Sequence, residues 1–281
     1  MTIRSTGSRW LVEDLDQQLV DEASAGGLAM SERRGVPGHT RRETHTEQEH
    51  RASVTPCGTA RFLVLIVLSL TALSLLGQLV VHLMPDFVGR DRFAAMFNLD
   101  SECNIPTLYQ TLALLGCAVL LHVIAREERQ AGGRWSRHWR LMSVIFVGLA
   151  ADEFLSFHEE INSRLYISFF SWSWVVVGIV FVIAVALIFL RMIYQLPLPT
   201  RGLFILAALI YLSGAIVMET VASHYIAEWG YDSCRYALWA AAKEFLEMIG
   251  IVVFIYALLS YLTQDGRKVL LSLELRSKAR S

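Results

Sequence analysis

Neither sign of charge prevails in this chain. Its 281 residues hold 25 Lys and Arg against 26 Asp and Glu, a net charge of −1, and that balance argues against a nucleic-acid partner. Proline is scarce, six in all, and those near apolar runs sit at their ends. The interrupted helices of many transporters are therefore not expected. Catalytic signatures are missing too: the sequence has no H-E-x-x-H, no H-x-x-x-H and no G-x-S-x-G. The helix-pairing motif G-x-x-x-G is absent from the apolar runs, which leaves the oligomeric state open.

Apolar residues are in excess. They make up 54% of the chain, and the mean hydropathy is +0.44, whereas ordinary soluble domains are about 45–50% apolar. Six apolar runs stand out, at about 62–84, 105–125, 139–160, 172–194, 202–224 and 237–262. Each is near the roughly 20 residues that cross a hydrocarbon core. The first is too long and too far from residue 1 for a cleaved leader. The fourth carries no charge from Trp172 to Leu190, whereas a soluble helix keeps a polar face. The pattern predicts an all-α integral membrane protein, a bundle of six transmembrane helices over 61–263. Residues 1–60 read as a largely disordered cytosolic tail and 264–281 as a short basic cytosolic tail.

Arginine sets the orientation. With six spans both termini share a side. If that side is the cytoplasm, twenty Lys and Arg fall inside and only Arg90, Arg92, Arg164 and Arg235 fall in outer loops. Cytoplasmic loops are the ones enriched in positive residues, so the expected place is the plasma (inner) membrane, multi-pass, with both termini cytoplasmic. In the N-terminal tail, Trp10, Leu11, Leu15 and Leu19 fall near helical spacing. They offer one face to a protein partner, and the acidic opposite face speaks against anionic lipid.

Topology also sorts the four cysteines. Cys57 lies in the tail, and Cys117 reads as a small packing residue in the second span. Cys103 and Cys234 both fall in outer loops, where an oxidising compartment would permit a disulfide between them.

The chemistry lies in charges inside the runs. The stretch ADEFLSFHEE, residues 151–160, ends the third run, METVASH the fifth, and KEFLEMIG opens the sixth. At 1.5 Å per residue, Asp152 is placed about 13 Å below the outer surface, Glu219 about 7 Å, and Lys243, Glu244 and Glu247 roughly 9–15 Å. Asp152, Glu153, Glu219, Glu244 and Glu247 are thus expected in one layer, with Gln78, His82, Tyr109 and Gln110 at similar depth on the first two spans. The fourth span adds nothing polar and is expected on the lipid-facing rim. Asp152, Ser156 and Glu159 share a helical stripe, and Lys243 and Glu247 are i, i+4 neighbours. Glu153–His158 and Glu219–His224 repeat an E-x4-H spacing. His158, Glu159, Glu160 and His224 lie at the rim, where an interfacial role suffices.

Carboxylates that share a small site cannot all ionise, and Lys243 offsets at most one. Three readings stay open. The first is a divalent metal site (Fe, Mn or Zn), since carboxylates and imidazoles on facing helices suit those ions; the protein would then be a metal-binding protein or a membrane-embedded metal-dependent enzyme acting on a lipid-like substrate. The second is a proton- or ion-coupled transporter or sensor. The third is structural, with protonated acids hydrogen-bonding across helices.

Overall fold

A computed structural model of the chain describes residues 55–157, 173–221 and 234–264. Most of these residues are helical, with no strand among them. The helices are α1 (Pro56–Leu83), the short α2 (Arg90–Phe97), α3 (Ile105–Gln130), α4 (Ser136–Leu155), α5 (Ser173–Gln195), α6 (Leu198–Leu212) and α7 (Cys234–Gln264). Beyond Leu212, α6 widens into a π-helical segment, Ser213–Met218, and its apolar stretch runs to Val221.

Among the described residues, five helices are long and apolar enough to cross a membrane: Pro56–Leu83, Ile105–Gln130, Val175–Gln195, Leu198–Val221 and Arg235–Thr263. This is the pattern of a multi-pass membrane protein. The third predicted span, α4, is 20 residues long but carries Arg137, Arg140, Asp152 and Glu153, and is not among the five. It also ends earlier than its hydrophobicity implied. Ser156 takes a left-handed conformation (φ 53°, ψ 38°), a helix stop usually given to Gly or Asn. Asp152 therefore stands three residues before the end of α4, about 4.5 Å along the axis.

Local signals explain the starts. Pro56 opens α1, and Asn104 caps α3 by accepting a hydrogen bond from the Thr107 amide at 3.1 Å. Gly132 at φ 71° turns the chain between α3 and α4, which then pack along each other. Ser136 Oγ donates to Ala125 O at 3.0 Å and Ser143 Oγ to Ala118 O at 2.8 Å. Such side-chain bonds join helices where hydrocarbon offers no competing water.

The centre of the bundle is α7. Its apolar stretch is 61% buried, against 22% for α1 and 11% for α5, and α1, α3 and α6 all pack on it. One apolar core joins Leu114, Cys117 and Leu121 of α3, Trp139 and Ala150 of α4, Phe204 and Ala207 of α6, and Ile251 and Leu258 of α7. Phe146 of α4 stacks on Phe254 of α7 at 4.9 Å, and Phe204 of α6 meets the same ring at 4.8 Å. A second core sets Val67 and Leu70 of α1 against Met248 and Val252 of α7. The poorly buried α5 docks through Phe189 and Met192 near its C-terminal end.

Two glycines bring α6 and α7 into backbone contact. A Cβ on Gly214 would lie 2.7 Å from Lys243 O, and one on Gly250 would lie 2.8 Å from the Tyr211 amide nitrogen. Only glycine fits at so close a crossing.

Candidate functional site: a carboxylate–lysine cluster

The bundle has two chemically distinct ends. At the end formed by the N-termini of α3 and α7 and the C-termini of α4 and α6, the apolar core gives way to polar residues within one helical turn. Leu114, Ala150 and Ile251 belong to the core. One turn further towards that end stand Gln110 on α3 and Glu247 on α7, with Asp152 and Glu153 just beyond Ala150 on α4.

Lys243 organises the acids. Its Nζ lies 3.0 Å from Glu219 Oε2 on the chain leaving α6 and 3.4 Å from Glu244 Oε1 on its own helix. The close α6–α7 crossing at Gly214 permits this, because that glycine sits against the Lys243 carbonyl and the Glu247 side chain. Glu247 is 6% exposed, and the charges of Glu244, Lys243, Glu153 and Glu219 all act on it. The charges of Glu247, Glu153, Glu244 and Asp152 also act on Tyr211. The acids of the third, fifth and sixth predicted spans thus share one neighbourhood. Of the two carboxylates that Lys243 meets, one lies on the chain leaving α6 and the other on its own helix.

The connection between α2 and α3 closes this end. The Leu99 amide donates to Ser74 Oγ of α1 at 3.1 Å, in a buried position. Asn104 Nδ2 donates to Asn98 O at 2.5 Å. The loop brings two further carboxylates. Tyr236 of α7 is hydrogen-bonded to Asp100 and also feels Lys243 and Glu219. Ser156 donates a hydrogen bond to Glu102. Ser156 thus reaches the site through the loop rather than through a stripe with Asp152.

Other sequence candidates fare differently. His82 is exposed and its Nδ1 meets the Gln78 carbonyl at 2.8 Å. Gln110 is 2% exposed, and neither its Nε2 nor the Tyr109 hydroxyl has a hydrogen-bond partner among the described residues. Cys117 is buried in the core and Cys103 is exposed. His158, Glu159, Glu160, His224 and the side chain of Cys234 lie outside the described residues, as does the N-terminal tail to residue 54. Among the described residues no three His, Cys, Asp or Glu side chains are grouped to hold a metal ion.

Sequence reasoning passed over Tyr211, Tyr236, Asp100 and Glu102. Tyr236 lies seven residues, two helical turns, before Lys243, and that spacing is the signal that would have found it.

Residues 60–262 match a family model described as Domain of unknown function (DUF8692). The chain belongs to this family. The match runs from the first turns of α1 almost to the end of α7, so the helical bundle and its acidic cluster are the DUF8692 domain. No curated protein and no solved structure matches the chain.

Proposed function

We propose that this DUF8692 protein is a six-span protein of the plasma (inner) membrane with cytoplasmic termini. Its carboxylate–lysine cluster would take up and release protons within the bilayer as part of a proton-coupled transporter or sensor. The observation that carries the reading is the placing of Lys243 between Glu219 and Glu244 beside the buried Glu247. One lysine stands among five acids. An ionised carboxylate at mid-bilayer costs at least about 2.5–3.5 kcal/mol on insertion scales, so the excess is held most cheaply as protonated acid. Tyr236 and Asp100 would link the cluster to water at the outer surface. The α4 hairpin, held to α3 by Ser136 and Ser143, supports counting α4 as a span despite its charges.

The test is reconstitution in liposomes with a pH-sensitive dye inside. Wild-type protein should dissipate an imposed proton gradient, and Glu247→Gln should abolish that flux. Equal flux in the two proteins would overturn the reading.

A second reading has its own support. Glu153 stands five residues before His158 and Glu219 five before His224. These histidines, with Glu159, could add imidazole and carboxylate ligands to Asp152 and Glu153 for Fe, Mn or Zn. Such an ion would polarise a lipid-like substrate or activate water. Stoichiometric metal in protein purified without chelator, lost in Glu153→Gln, would favour this reading over proton exchange.

A further inference from the structure

The opposite end of the bundle is basic. Where α3 turns into α4, a cavity of ≈ 470 Å³ is lined by Arg129, Gly133, Arg134, Ser136, Arg137 and Arg140. Four arginines line this one hollow, and the one carboxylate beside it, Glu128 against Gly133, leaves positive charge in excess. Like charges so gathered repel, and a bound anion relieves the repulsion.

One of these arginines is anchored from behind the hollow. Trp135 Nε1 donates to Gln195 Oε1 of α5 at 3.0 Å, and Arg134 donates to the same oxygen. The Arg134 guanidinium also lies over the Trp135 ring, 4.9 Å from its centroid. Two residues are thus held by a third from another helix. The hollow opens on the start of α4, which has no side-chain cap and no acid in its first turn. Backbone bonding there begins with the Trp139 amide donating to Trp135 O, so the amides of Ser136, Arg137 and His138 precede the helical ladder. Unpaired amides at a helix start favour an anion.

We propose that this cavity binds a phosphate group, presented either by the headgroup of an anionic phospholipid or by a soluble phosphate compound. Guanidinium forks match phosphate oxygens in pairs, and basic hollows at the cytoplasmic ends of membrane helices are suited to anionic headgroups. The leaflet rests on the orientation proposed above, while the binding itself does not.

The experiment follows thermal unfolding of the full chain in neutral detergent. Added ligands are short-chain phosphatidylglycerol, short-chain phosphatidylcholine, and inorganic pyrophosphate. With phosphatidylglycerol well above its Kd, Tm should rise on the order of 5 °C. Phosphatidylcholine should leave it unchanged, and 1 M salt should remove the rise. The shift should vanish in R137Q/R140Q, whose two side chains are exposed, and persist in R191Q/R201Q, which removes equal charge from outside the cavity. The single variants R137Q and R140Q serve should the double variant not fold. A shift with pyrophosphate and not with phosphatidylglycerol, showing the same losses, would identify the source as a soluble phosphate. Equal shifts in wild type and R137Q/R140Q, no shift with either anion, or equal loss in R191Q/R201Q would overturn the proposal. Because detergent has no leaflets, failure of the orientation would show in thiol labelling and not here.

Discussion

Lys243 Nζ and Glu219 Oε2 lie 3.0 Å apart and join α7 to the end of α6. The pair is only partly shielded, with side-chain exposures of 20% and 34%, so removing one partner should cost less than in a fully buried pair, about 1–3 kcal/mol. Lys243→Met removes the cluster's cation and should be the more damaging change. Glu219→Gln removes one of several acids and should be mild. K243M/E219Q should recover part of the K243M loss. A double-mutant cycle of unfolding in detergent measures this, and additive losses would contradict it.

Glycine substitutions should separate contact from propensity. Gly214→Ala and Gly250→Ala push a Cβ against backbone atoms of the facing helix, and each should cost about 1–3 kcal/mol. Gly116→Ala meets nothing within 4 Å and should be neutral or stabilising by about 0.5–1 kcal/mol. Unfolding midpoints of the three variants decide the matter.

Replacing Asp152, Glu219 and Glu247 jointly by Asn, Gln and Gln removes mutual repulsion and the cost of buried charge. Stability should hold or rise, while proton flux in liposomes should disappear. Collapse rescued by added metal would instead favour the metal site, and retained flux would favour a purely structural role for the acids.

Thiol labelling reads the orientation. A membrane-impermeant maleimide should reach the exposed Cys103 in intact cells, and Cys57 only after permeabilisation. Comparing Cys103 labelling before and after reduction tests its pairing with Cys234: a rise on reduction marks the disulfide.

Much of the architecture was readable from hydrophobic length, because twenty apolar residues in a row have few other uses. Five helices match their predicted runs, and α5, with no polar residue from Val175 to Leu190, is the least buried of the five. The end of α4 was not readable. Serine carries no strong signal for a left-handed stop, and Ser156 adopts one beside Glu102, 54 residues away in the chain. The short α2 was missed because Gly89 and Asn98, which bound it, look like ordinary loop residues. The acids and Lys243 were legible as charges inside apolar runs. Their actual partners were not, because the crossing at Gly214 and the π-helical turns beside it change which faces meet.

That π-helical segment makes the register of α6 adjustable. Serine and threonine hydroxyls already serve its loosened carbonyls: Ser213 Oγ donates to Ile210 O and Thr220 Oγ1 to Ile216 O, both at 2.6 Å. An α-helical turn holds 3.6 residues, and the wider turns here carry surplus chain. Deleting one residue between Ser213 and Met218 would let the helix tighten into regular α-helical turns, the wide turn taking up the loss so that Glu219 keeps its face. The same deletion near Phe204 would throw the apolar core out of phase. Length variation in this helix is therefore absorbed most easily just before the acid that meets the lysine.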